Sequence, residues 1–159
     1  CHRRDAKAQR ALYDTMAPMA MGVCMRYARN REEAQDWMQD GFIKVYEKLG
    51  SLREPAKLGA WVYQIMVNVC INHYHRAKHA VEVDDDPTLA VTLPLDPFAA
   101  EEIVAALQQL TAPQRTVFNM VEVEGYSCVE VAQELKQEPS SIHSTLCRAK
   151  AQLRALLSH

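Results

Sequence analysis

Apolar residues recur at helical spacing along most of this 159-residue chain, and the breaks in that spacing mark its elements. Leu12, Met16, Met19, Val23 and Tyr27 share one face of a segment over residues 5–28, predicted as a helix or helix pair interrupted near Pro18. Its methionines (Met16, Met19, Met21, Met25) suit core filling. Asn30 is placed to cap a second helix, with Glu32 and Glu33 in the first turn, where the macrodipole favours acids. That helix carries the stripe Ala34, Trp37, Met38, Gly41, Phe42, Val45 and Leu49, flanked by Asp36, Gln39, Asp40 and Lys44, and Gly50-Ser51 ends it. Leu52 to Lys57 reads as a loop carrying Arg53 and Pro55. A long helix is predicted from about Leu58 to Lys78, with Trp61, Ile65, Val69 and Ile71 apolar. Residues 80–98 lose the period altogether. They hold Asp84-Asp85-Asp86-Pro87 with further prolines at 94 and 97, which reads as a linker.

The period resumes with Ile103, Val104, Leu107 and Leu110. Thr111 caps the next helix, with Pro113 near its start and Gln114 in the capping-box position; Val117, Phe118, Met120 and Val121 are its apolar face. Gly125 breaks the chain. Ser127 with Glu130 makes another capping box, and Val131, Ala132 and Leu135 form the face of a short helix. Lys136-Gln137-Glu138 is a polar turn. Pro139 suits a first helical position, and Ile142, Leu146, Ala149, Leu153 and Leu156 follow at helical spacing. Two helices joined by so short a turn form the pattern of a helix-turn-helix, whose second helix enters the DNA major groove. The fold class is therefore all-α: two small helical domains, 5–79 and 99–159, joined by a flexible acidic linker at 80–98.

Charge sharpens this division. Net charge is −2, but residues 1–80 carry +5, residues 81–100 carry −5 and residues 101–159 carry −2. From Lys136 onward, Lys136, Arg148, Lys150 and Arg154 face a single acid, Glu138. Ser140, Ser141, His143, Ser144 and Thr145 cluster on the first turns of the last helix, where short donors and acceptors suit phosphates and base edges. The end of the long helix is rich in Asn68, Asn72, His73, Tyr74, His75, Arg76, Lys78 and His79. Aromatics interleaved with cations and amides suit unpaired nucleic acid, where bases stack and the backbone needs positive charge. The five cysteines are odd in number and form no C-x-x-C, so neither a disulfide framework nor a zinc knuckle is expected and a reducing cytoplasm is. No apolar run reaches the length of a membrane span, and the first residues do not read as a signal peptide.

With both blocks in view, the chain resembles a bacterial extracytoplasmic-function (ECF) sigma factor of the sigma-70 family. The resemblance rests on Tyr27 to Tyr46, similar to D-A-E-D-L-x-Q-E-x-F-x-x-x-W, and on Ala60 to Arg76, similar to W-L-x-x-I-A-x-N-x-x-x-D-x-x-R. It continues in Leu110 to Phe118, Gly125 to Leu135 and Ile142 to Lys150. It implies a three- or four-helix sigma domain 2 and a helix-turn-helix sigma domain 4. It further implies that Asp36, Gln39, Asp40 and Phe42 dock on the clamp helices of core RNA polymerase. Arg53, Lys57, Trp61, Asn68, Asn72, His73 and Arg76 would open and read the promoter −10 element. Ser140, Ser141, His143, Ser144, Thr145, Arg148 and Lys150 would read the −35 element. The partners implied are core RNA polymerase, promoter DNA and an anti-sigma factor, with no membrane insertion, no cofactor and no catalytic residue, since the polymerase does the chemistry.

The chain departs from the family where Lys136 and Gln137 replace a usual Gly and an apolar residue. If position 136 needs positive φ, Lys there costs about 1 kcal/mol relative to Gly. His143 and Thr145 stand where Lys and Arg are frequent, Asn72 replaces a usual Asp, and Leu58-Gly59 replaces an aromatic-basic pair. Two other readings remain at this point. One is a stand-alone helix-turn-helix repressor, dimeric through its first block. The other is a helical metal-dependent hydrolase built on His73, His75, His79 and Asp84 to Asp86, for which no local Cys or acid completes the histidine cluster.

Overall fold

The computed structural model describes residues 6–80 and 100–158, and every regular element in them is helical. The expected linker, with Asp84 to Asp86, lies outside those residues from 81 onward. The chain divides into two compact units between His73 and Tyr74, inside the third helix.

The first unit is built on three helices: α1 (Ala6–Tyr27), α2 (Arg31–Lys48) and α3 (Leu58–Ala80). α1 is continuous, and Pro18 lies inside it rather than dividing it. A mid-helix proline forfeits one backbone bond. Burial of Leu12, Ala20, Val23, Cys24 and Tyr27 along the same helix offsets that loss. Asn30 caps α2 as expected, its side chain accepting from Glu33 N at 2.8 Å. α1 and α2 run antiparallel: Tyr13 meets Phe42 with ring centroids 4.7 Å apart, and Tyr46 Oη donates to Gln9 O at 3.1 Å. Burial, then the neighbouring Tyr13 and Asp14, raise the Tyr46 hydroxyl above its ordinary pKa of 10.0. Two short 3₁₀ turns, Leu49–Ser51 and Pro55–Lys57, carry the chain from α2 to α3. α3 seals the unit with Val62, Met66, Val67, Val69, Cys70 and Ile71, all buried. Gly41 on α2 leaves room for the end of the Met66 side chain from α3, against whose Sδ and Cε a Cβ would press.

The second unit holds α4 (Ala100–Gln109), α5 (Ala112–Phe118), α6 (Cys128–Leu135) and α7 (Pro139–Leu157). Thr111 and Gln114 form the complete reciprocal capping box. At Ser127 only the forward half forms, its hydroxyl accepting from Glu130 N at 3.1 Å. α5 does not end where the apolar period suggests. It widens into a π-helical stretch over Asn119–Val123. Arg115 is buried between elements, donating to Leu110 O at 3.0 Å and Leu107 O at 3.5 Å. It thereby satisfies the Leu110 carbonyl just past the end of α4, where an unpaired buried acceptor would cost about 1–3 kcal/mol, and adds a second, longer bond to Leu107 O, which already accepts from Leu110 N at 3.1 Å.

Candidate nucleic-acid interface

The helix-turn-helix is formed by α6, three residues and α7. Val131, Ala132, Leu135, Ile142, Leu146, Ala149 and Leu153 are its buried seam. The turn is made by Lys136 in the left-handed region, φ 55° and ψ 50°. Gln137 N donates to Ala132 O at 2.9 Å, the closing bond of a Schellman-type helix end. The backbone therefore demands at position 136 the conformation glycine tolerates best, and lysine occupies it.

Pro139 and Glu138 then start α7. Ser140, Ser141, His143 and Ser144 are exposed on its first two turns. The backbone N–H groups of such a helix start are oriented to meet phosphate. Thr145 does not join them. It is buried, and its hydroxyl donates to Ser141 O at 2.8 Å, because it lies three residues beyond Ile142 on the seam. Lys150 is also drawn away: its Nζ pairs with Glu122 at 2.5 Å. Arg148 is half-exposed. His143 Nε2 stands 3.8 Å from Cys147 Sγ, one turn apart.

In the first unit, Asp36, Gln39 and Asp40 lie exposed along α2. Phe42 does not belong with them. It is 3% exposed, held between Tyr13 and Tyr46. The apolar side chain that does reach that strip is its neighbour Ile43, 55% exposed. The period could not separate these two adjacent apolar residues, and only one of them can face the core.

The connecting loop and the start of α3 form a cleft of about 430 Å³ lined by Ser51, Leu52, Arg53, Glu54, Lys57, Ala60 and Trp61. Arg53, Lys57 and Trp61 thus line one cleft. The Lys57–Glu54 ion pair at 3.0 Å crosses the cleft's rim, with both side chains largely in solvent. Asn68 and Asn72 are exposed further along α3, with Arg76 exposed one turn beyond. His73 is placed otherwise. Its ring stacks on Trp37 with centroids 4.8 Å apart and planes at 9°, and its Nε2 lies 2.9 Å from Asp40 Oδ2. The structure thus joins a residue expected to read DNA to a residue expected to dock on polymerase.

Among the described residues no three His, Cys, Asp or Glu side chains gather as a metal site, and no helix is long and apolar enough to cross a membrane. The side chain of His79 and residues Asp84 to Asp86 lie outside what is described.

Comparison with known proteins matches residues 12–80 to Sigma-70 region 2 and residues 100–153 to Sigma-70, region 4. The ECF RNA polymerase sigma factor SigM of Mycobacterium tuberculosis is 29% identical over 133 residues, covering 83% of this chain and 68% of that protein. The RNA polymerase sigma-H factor of Pseudomonas aeruginosa is 27% identical over 153 residues, 82% of this chain and 76% of that protein. Among solved structures, the sigma factor RpoE of Bartonella quintana, crystallised with the anti-sigma factor NepR, shares the fold. The TM-score is 0.53 at 20% identity, covering 96% of this chain and 98% of that one. Two sigma-70 regions in their family order, described residues whose regular elements are all helical, and relatives named as ECF sigma factors place this chain in the sigma-70 family, within its extracytoplasmic-function class.

Proposed function

We propose that this chain is an RNA polymerase sigma factor of ECF type, which directs core polymerase to particular promoters and assists their melting. The observation that carries the reading is the pairing of the two matched regions with an exposed Ser140, Ser141, His143 and Ser144 at the start of α7. In this reading residues 5–79 form the polymerase-binding and −10 domain, 80–98 the acidic linker and 99–159 the −35 domain.

The polymerase-docking strip is Asp36, Gln39 and Asp40, with Ile43 as its apolar member. An exposed aliphatic flanked by polar groups suits a hot spot that loses water on docking. The cleft at Arg53, Lys57 and Trp61 takes an unstacked base of the −10 element: an aromatic face and two cations offer stacking and phosphate neutralisation together. Asn68, Asn72 and Arg76 follow the strand along α3. At the −35 element Ser140, Ser141, His143 and Ser144 contact base edges and phosphates, with Arg148 flanking them. So few free cations make phosphate binding weak and only shallowly salt-dependent. The two DNA contacts then depend on polymerase holding both domains at once, which raises the effective concentration of each. An anti-sigma factor, as accompanies the Bartonella quintana protein, acts by covering the α2 strip, α7, or both.

The test is co-purification with core polymerase followed by run-off transcription from a promoter library. Retention of core polymerase and promoter-specific transcripts are the expected result. Failure to bind core polymerase under any ionic condition sinks the reading.

A further inference from the structure

α1 and α3 each bring one cysteine to the same buried spot. Cys24 and Cys70 are 0% and 1% exposed, and Cys70 Sγ donates to Cys24 Sγ at 3.9 Å across 46 residues of chain. Neither is in a disulfide, and neither belongs to the proposed docking strip or DNA-reading residues. We propose that the pair is an oxidisable dithiol, converted by hydroperoxides into a disulfide that staples α1 to α3.

The chemistry balances with a hydroperoxide as the only co-reactant. The thiolate of one cysteine attacks an oxygen of ROOH, the O–O bond breaks, ROH leaves and the sulfur becomes a sulfenic acid. The second sulfur attacks that sulfur, the S–O bond breaks and water leaves. Two thiols lose two protons and two electrons, and the hydroperoxide is reduced to ROH and water.

Burial decides the order of events. Neither sulfur meets an oxidant until α1 lifts from α3. α1 has two local weak points in its backbone ladder: Pro18 omits one bond, and Thr15 Oγ1 donates to Ala11 O at 2.8 Å, competing for a carbonyl of that ladder. Once α1 closes again, the sulfenic acid sits beside its partner sulfur. Capture as a disulfide then outruns further oxidation to sulfinic acid. Bond formation brings the sulfurs from 3.9 Å to about 2.0 Å, roughly 1 Å of movement for each. Its effect is protective: it constrains the unfolded first unit under oxidising conditions and is undone by reductant.

The test uses the full chain with Cys1→Ser, Cys128→Ser and Cys147→Ser, which leaves only the pair. After hydrogen peroxide under native conditions, one portion is denatured, alkylated with N-ethylmaleimide and mapped by mass spectrometry, and another is melted without prior denaturation. Expected are loss of both maleimide adducts, a cross-linked Cys24–Cys70 peptide, and a melting temperature of the first unit raised by about 10 °C and restored by dithiothreitol. The melt is followed by fluorescence of Trp37 and Trp61, both in that unit. Two alkylatable thiols after peroxide, sulfinic or sulfonic acid at either sulfur, or an unchanged or lowered melting temperature overturns the proposal.

Discussion

Lys136 is the residue whose replacement should most plainly strengthen the second unit. Its φ of 55° and ψ of 50° lie in the left-handed region, which costs a residue with a Cβ about 1–2 kcal/mol relative to glycine. Glycine returns part of that, about 0.4–1 kcal/mol, through its greater freedom in the unfolded chain. Lysine also adds a cation at the C-terminal end of α6, worth about 0.3 kcal/mol when exposed to solvent. Lys136→Ala removes the cation but keeps the backbone cost, so the Gly-minus-Ala difference isolates the conformation itself. That difference is expected to be about 0.5–1 kcal/mol in favour of glycine, or about 3–6 °C for a domain of this size. The chain offers its own probe for locating the effect. Both tryptophans, Trp37 and Trp61, lie in the first unit. Far-ultraviolet circular dichroism sees both units, whereas tryptophan fluorescence sees the first. Lys136→Gly should shift the dichroism component absent from the fluorescence melt and leave the fluorescence melt unmoved. A Lys136→Gly protein no more stable than Lys136→Ala would refute the reasoning, because the turn would then not hold position 136 left-handed.

Other outcomes follow from the same structure. Phe42→Ala should destabilise the first unit by about 3–5 kcal/mol in a urea titration read by fluorescence, whereas Ile43→Ala should stay within about 0.5 kcal/mol and weaken polymerase capture instead. Asn30→Ala should cost about 1 kcal/mol in the same titration through loss of the bond to Glu33 N. Glu122→Gln should release Lys150 for phosphate, steepening the salt dependence of promoter-complex formation, measured by filter binding, by up to about one counterion. Tyr46 has a folded pKa above its unfolded value, so its contribution is fully present below about pH 10 and is lost as pH rises through the raised value. Tyr46→Phe should remove that alkaline component from a melting profile taken between neutral and strongly alkaline pH.

Periodicity and caps carried the architecture well. The seam of the helix-turn-helix, the cap at Asn30 and the capping box at Thr111 are all where the residue pattern puts them, because each depends on neighbours within one or two turns. What the pattern missed depends on tertiary contact. Pro18 reads locally as a break, but burial along both halves of α1 outweighs one lost bond. Phe42 and Ile43 are equally apolar, and only the ring pocket of Tyr13 and Tyr46 decides which turns inward. Thr145 shares its composition with the exposed serines, yet its register places it on the seam. The exposed reach of Lys150 was shortened by Glu122, a partner 28 residues away that no local rule would single out. His73 found its stack on Trp37 across 36 residues for the same reason. The π-helical stretch after α5 carries no signal in spacing at all.

The clamp of Trp37 and Asp40 on His73 bears on how this chain can evolve. Under the proposed function Asp40 belongs to the polymerase-docking strip, a surface used at every promoter, whereas the end of α3 is where promoter preference would be retuned. Because one imidazole touches both, a substitution at 73 that alters base reading also releases a carboxylate on the docking strip. Positions 37, 40 and 73 are therefore expected to drift as a set among descendants of this chain, while Asn68 and Asn72, exposed on the same helix, change independently.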